Sequence, residues 1–145
     1  MASLKKLIQL VEDDFLNGRM FQAVLEGGGF AVANDRQGAL ALQRALTTPP
    51  DLFLIDLMLP DVPGLLLIRQ LRGMSQFSTT PIIVVTVLAG EEAERKALEV
   101  GANLYLRKPV SITVLLASIN AQLGTATLPN TGPMRGPDMP NSSAN

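Results

Sequence analysis

The 145-residue sequence contains no cysteine, no histidine and no tryptophan, and only one tyrosine. Without cysteine there is no disulfide, thiolate nucleophile or iron–sulfur ligand. Without histidine there is no imidazole base, zinc triad or phosphohistidine. Charge is sparse too: 12 Lys and Arg stand against 13 Asp and Glu, a formal net charge of −1. No Lys/Arg cluster is present to neutralise a phosphate backbone, which argues against nucleic-acid binding by this chain. No stretch approaches the roughly 20 apolar residues that span a bilayer. Residues 1–6 lead into a short strand-like run rather than a secretion signal, so a cytoplasmic protein without membrane contact is expected.

What is present suits one globular domain. Of the residues, 47% are hydrophobic, and a chain of this size buries roughly 68–70% of the surface its unfolded form exposes, enough to fold without disulfide or metal. The composition shifts after Gly124, where prolines 129, 133, 137 and 140, four of the chain's ten, lie among Gly, Asn and Ser. Such a segment has too little apolar surface to offset its ordering entropy. The expected folded unit is therefore residues 3–124, followed by a disordered Pro/Gly/Asn/Ser-rich tail at 125–145.

Inside that unit two periods alternate. Short apolar runs at 7–11, 30–33, 52–55, 82–85 and 104–106 read as five strands. Between them, Leu16/Met20/Val24, Ala39/Leu42/Leu46, Leu65/Ile68/Leu71, Ala93/Ala97/Val100 and Leu115/Ile119/Leu123 recur at helical spacing. Stops at Gly27-Gly28-Gly29, Thr47-Thr48-Pro49-Pro50, Gly73 and Gly101 agree with these periods. Strands that are apolar throughout and alternate with helices predict a doubly wound α/β fold, a five-stranded parallel sheet with five helices on its two faces. In such sheets the functional crevice lies beyond the carboxyl ends of the strands.

Those ends carry Glu12-Asp13-Asp14 after the first strand, Asp56 after the third, Thr86 after the fourth and Arg107-Lys108-Pro109 after the fifth. Converging carboxylates raise one another's proton affinity unless a cation sits among them, and an all-oxygen donor set suits Mg²⁺. Three acids after the first strand would repel a nucleotide or flavin phosphate, and no Gly-rich phosphate loop occurs. Each residue also has a plainer explanation: Asp13 and Asp14 as helix caps, Asp56 as a turn residue, Thr86 as a β-branched strand residue, Lys108 as a solvated charge. Their coincidence at four strand ends is what weighs against chance.

Leu10-Val11-Glu12-Asp13-Asp14, the run from Leu54 to Gly64 around Asp56, Pro81 to Thr86, and Gly101 to Pro109 together resemble the receiver domains of two-component response regulators. The match covers about residues 4–124. The opening Val11-Glu12-Asp13-Asp14-Phe15-Leu16-Asn17 is similar to single-domain regulators of the chemotaxis or cell-cycle type. The flavodoxin-like fold is part of what the resemblance implies.

The resemblance also implies that Asp56 is the phosphoacceptor, taking a phosphoryl group from the histidine of a kinase or phosphotransferase to give an aspartyl phosphate. On the same resemblance, Mg²⁺ would be held by Asp13, Asp14 and Asp56, with Asp14 the more direct ligand, and by the backbone carbonyl of Met58, while Lys108 and Thr86 would bind phosphoryl oxygens. After transfer, Thr86 would move inward and Tyr105 turn into the vacated space, altering the face of the fourth helix, fifth strand and fifth helix, roughly residues 91–123, for a downstream effector. That face also implies a monomer or a weak dimer, and Lys108–Pro109 is expected to be cis.

Four residues bear on how far the sequence follows the family. Val87 stands where a small residue is usual, which is expected to narrow access to Asp56 and make transfer partner-selective. Pro63 precedes Gly64, removing an amide donor and stiffening the loop. Met58 and Leu88, two residues beyond Asp56 and Thr86, are apolar and cannot orient a hydrolytic water, so a long-lived phosphoryl state is expected. With no second domain in the sequence, output is expected through binding. The alternative is a phosphorylation-independent receiver-like interaction module. An aspartate-nucleophile phosphatase would want Asp-x-Asp, and Asp56-Leu57-Met58 lacks the second acid. The chain is therefore read as a phosphoacceptor that assists its own chemistry rather than as an enzyme.

Overall fold

The computed structural model describes residues 4–125. Apart from Thr125, whose amide donates to the Asn120 carbonyl at 3.0 Å, the expected tail lies outside the described residues.

Five strands, β1 (Leu7–Val11), β2 (Ala31–Asp35), β3 (Leu52–Ile55), β4 (Ile82–Thr86) and β5 (Leu104–Arg107), alternate with α1 (Phe15–Gly27), α2 (Gly38–Thr47), α3 (Gly64–Arg72), α4 (Glu91–Val100) and α5 (Ile112–Leu123). All pairings are parallel, in the order β2-β1-β3-β4-β5. Strand residues alternate between two cores because successive side chains point to opposite faces. Phe53, Ile55, Ile82 and Val84 meet α2, α3 and α4, while Leu52, Leu54, Ile83 and Val85 meet α1 and α5. Both faces are covered, which is why β3 and β4 are buried at every position.

The strands run past the apolar runs that predict them. β4 and β5 continue to Thr86 and Arg107, which pair in register. β2 starts one residue later than predicted and continues through Asn34 to Asp35. A charged residue survives in that strand because its partners are built in. The buried Asp35 carboxylate accepts from Gln9 Nε2 at 3.0 Å and from Arg44 Nε at 3.0 Å, as a buried charge requires. A 3₁₀ turn, Ser75–Phe77, has no periodic signature, being too short; it carries Phe77 edge-to-face onto Phe53 with ring centres 5.4 Å apart.

Arg72, the last residue of α3, stitches this region together. Its guanidinium donates to the carbonyls of Gly101 (2.9 Å), Phe77 and Thr80 (both 2.7 Å) and to Asn103 Oδ1 (2.7 Å). Burial lowers its proton affinity. The planar fork reaches four acceptors that a point charge cannot span.

Candidate functional site

The strand order reverses between β1 and β3, and the side chains beyond these two strands meet β5's end across the crevice. Asp56 directly follows β3 and is buried. Its amide donates to the Val11 carbonyl at 3.0 Å, which ties it to β1. Its Oδ1 accepts from the Met58 amide at 3.0 Å and its Oδ2 from Lys108 Nζ at 2.8 Å. Lys108 Nζ also donates to Glu12 Oε1 at 2.6 Å and lies 5.8 Å from the Phe21 ring centre. Burial alone would lower the affinity of this ammonium for its proton, but the hydrogen bonds it donates to Asp56 and Glu12, with the charge of those carboxylates, outweigh it, and the net shift is upward. The Lys108–Pro109 peptide is cis, as the resemblance implies.

The structure distributes the three acids after β1 differently from the sequence-based assignment. Asp14 is exposed and is the N-cap of α1, its Oδ2 accepting from the Asn17 amide at 2.8 Å. The resemblance makes this residue the more direct metal ligand; in the structure one of its carboxylate oxygens is engaged where the helix dipole and an unpaired amide hold it. Glu12, absent from the expected set, is buried, with Oε1 on Lys108 and Oε2 accepting from the Asp14 amide at 3.0 Å. Counting from the strand end carries the signal for this: Glu12 is the first residue past Val11, and Asp14 stands three before Asn17, the spacing of a cap. Asp13 is half-buried, and its carbonyl accepts from Arg36 Nε at 3.1 Å.

Among the described residues no three acidic side chains gather closely enough to form a ready-made metal cluster. The donor chemistry nevertheless fits a hard divalent ion. Asp13 and Asp56 carry carboxylate oxygens and Met58 a backbone carbonyl, no thiolate or imidazole exists in the sequence to compete, and Glu12 is already paired with Lys108.

Thr86 is fully buried, and its Oγ1 accepts a long 3.4 Å hydrogen bond from the Leu88 amide. Tyr105 is already turned inward: it is buried and its hydroxyl donates to the Leu88 carbonyl at 2.8 Å. Its proton affinity is raised, first by burial and then by Glu94. Thus Asp56 and Lys108 are in direct contact, while Thr86 and Tyr105 meet through Leu88. Met58 is 52% exposed and Leu88 39%, so both stand at the surface around the site. Val87 is exposed and lines a cavity of about 360 Å³ with Asn17, Met20, Phe21, Lys108, Pro109 and Val110.

The loop after Asp56 closes tightly, the Gly64 amide donating to the Leu57 carbonyl at 2.9 Å. A Cβ on Gly64 would stand 2.5 Å from Leu57 Cα and 2.8 Å from the Asp56 carbonyl oxygen, so only glycine permits this approach. Pro63 is the N-cap of α3. The neighbouring Gly64 amide makes the loop-closing bond, so the donor lost at Pro63 is not needed there.

A doubly wound parallel sheet with a buried aspartate at its switch point, bonded by the lysine that follows the edge strand β5, defines an acidic-site α/β protein of the flavodoxin-like class. The profile of the family described as response regulator receiver domain matches residues 8–120. The polar-differentiation response regulator DivK of Brucella ovis is 32% identical over 123 residues, 85% of this chain and 100% of that protein. A response regulator of Chloroflexus aurantiacus superposes with a TM-score of 0.81 at 30% identity, covering 83% of this chain and 99% of that one. The receiver domain of a Pseudomonas aeruginosa sensor histidine kinase, with a magnesium ion coordinated in its active-site cleft, gives 0.78 at 29% identity, covering 84% and 100%. The chain belongs to the response regulator receiver domain family. Among the described residues no helix is long and apolar enough to cross a membrane.

Proposed function

We propose that this protein is a phosphoacceptor switch in which Asp56 takes a phosphoryl group from the histidine of a kinase or phosphotransferase. The observation that carries this reading is the pairing of Asp56 Oδ2 with Lys108 Nζ at 2.8 Å. It puts a cation, itself held by Glu12 at 2.6 Å, beside a buried carboxylate at the end of β3. A carboxylate oxygen of Asp56 bonds to phosphorus as the donor's P–N bond breaks and the imidazole leaves. Lys108 then turns from the carboxylate to a phosphoryl oxygen, as a point charge. Thr86 supplies a hydroxyl to another. Mg²⁺, when bound by Asp13, Asp56 and the Met58 carbonyl, offsets phosphoryl charge. Glu12 keeps Lys108 oriented, and Asp14 serves the helix instead of the ion.

Output passes to an effector through α4, β5 and α5. One observation favours the second reading, a module that signals without phosphorylation: Tyr105 is already inward on the Leu88 carbonyl. Intact mass after incubation with Mg²⁺ and acetyl phosphate separates the two. A single added phosphoryl, lost in Asp56→Asn and in chelator, supports the switch; no uptake and no beryllofluoride binding support the module.

The phosphoryl state is expected to be long-lived, because Met58 and Leu88 present no polar atom to orient water. Met58→Asn should shorten its half-life roughly 10-fold or more, an amide being able to hold the attacking water. Decay followed by intact mass checks this; an unchanged half-life would remove Met58 from the account.

A further inference from the structure

The acid loop after β1 and the phosphoacceptor loop after β3 are both tied to a third segment, the connection from β2 into α2. Arg36 Nε donates to the Asp13 carbonyl at 3.1 Å, and its guanidinium lies 5.8 Å from the Phe15 ring centre. On the other side, Asp61 Oδ1 and Oδ2 accept from the Gly38 and Ala39 amides, each at 2.9 Å. The contact is close: a Cβ on Gly38 would stand 2.4 Å from Val62 Cγ2. α2 is itself anchored to the sheet, for Gln9 Nε2 donates to both Asp35 Oδ2 and the Ala41 carbonyl (2.7 Å), and Arg44 pairs with Asp35.

We infer that Arg36 and Asp61 are positioning residues that hold the acid loop and the phosphoacceptor loop to one helix start, and so set the spacing of the two carboxylates that receive the divalent ion. The inference rests on the reading of Asp13 and Asp56 as those carboxylates. Neither residue touches the ion; each acts through a backbone, Arg36 through the Asp13 carbonyl and Asp61 through the loop that begins at Met58. Groups that orient ligands from behind typically change metal affinity 10–100-fold, and sites tolerate only about 0.5 Å of slack. The two amide bonds also keep the Asp61 carboxyl below the usual carboxylate range.

The competing explanation for Asp61 is that it merely caps α2, whose own N-cap, Gln37, makes no side-chain cap bond. The competing explanation for Arg36 is long-range charge. Calorimetric Mg²⁺ titration of the full chain, with thermal melts alongside, distinguishes these. Asp61→Ala should weaken Mg²⁺ binding about 10-fold and lower the melting temperature. Adding Gln37→Asp supplies a local cap and returns the charge, so it should recover the melt but not the affinity. Arg36→Gln is decisive in sign: loss of a nearby cation alone would tighten Mg²⁺ binding, whereas loss of positioning weakens it.

Recovery of affinity by Gln37→Asp, tighter binding by Arg36→Gln, or affinities within twofold of the parent would overturn the inference while leaving the switch intact. If the parent protein binds no Mg²⁺ at all, the proposed ion site fails and the inference falls with it.

Discussion

Lys108→Met is expected to destabilise the protein by about 3 kcal/mol at neutral pH in the presence of chelator. Methionine preserves the length of the side chain and its apolar packing near Phe21, so the change isolates the charge. The ammonium stands between two buried carboxylates, 2.6 Å from Glu12 and 2.8 Å from Asp56. All three side chains are 12% exposed or less, so solvent does little to replace the lost cation. Its removal leaves two buried acids beside an apolar sheet with no cation between them. Urea unfolding of parent and variant at neutral pH measures the difference. A difference below about 0.5 kcal/mol at neutral pH would show that solvent, not Lys108, balances these carboxylates.

Arg72→Ala should cost a comparable amount, about 3 kcal/mol, for a different reason. The substitution removes the only guanidinium donating to the Gly101, Phe77 and Thr80 carbonyls and to Asn103 Oδ1. Hydrogen bonds from charged donors contribute about 1.5–3 kcal/mol each, but water entering the exposed side of the gap recovers part of the four. The packing of the Arg72 stem on Gly101, where an added Cβ would meet Arg72 Cγ at 2.5 Å, is lost as well. For a domain of this size the loss corresponds to a fall of roughly 10–15 °C in melting temperature. Arg72→Lys should recover less than half, because an ammonium cannot address acceptors at the end of α4, on the 3₁₀ turn, before β4 and before β5 together. A melt of Arg72→Lys matching the parent would show that charge alone, without the fork, suffices.

Most of the architecture is legible in the order of residues because two local periods carry it. The wholly apolar runs at 52–55 and 82–85 have one stable solution, a strand covered on both faces, and β3 and β4 realise it. The glycine and proline stops place the helix ends within a residue or two. β2 extends beyond its apolar run because it ends in a buried acid whose partners, Gln9 and Arg44, lie in other elements and leave no mark on the run itself. The turn at 75–77 escaped because three residues carry no period.

The site divides along the same line. Asp56, Thr86 and Lys108 are visible as the residues that follow apolar runs, since strand ends in a parallel sheet converge on one edge. Which of Glu12, Asp13 and Asp14 does what is marked only by position, the first residue past β1 and the cap spacing from Asp14 to Asn17, because all three are acids within one turn and their orientation distinguishes them. Arg36 and Asp61 likewise look like ordinary loop residues until the fold brings α2's start between two loops.

By itself, the sequence determined the five alternating units, the parallel sheet, the absence of imidazole and thiol chemistry, and the residues standing at the strand ends. These follow from periodicity and composition, which are local properties of the chain. Only the tertiary structure decided that Glu12 shares Lys108 with Asp56, that Asp14 is engaged as a helix cap, that Tyr105 is turned inward, and that one helix start ties two site loops. Apart from the Asp14 cap, which turns on which of three neighbouring acids faces the start of α1, those depend on contacts 17 to 96 residues apart, and no local pattern encodes side-chain directions across such separations.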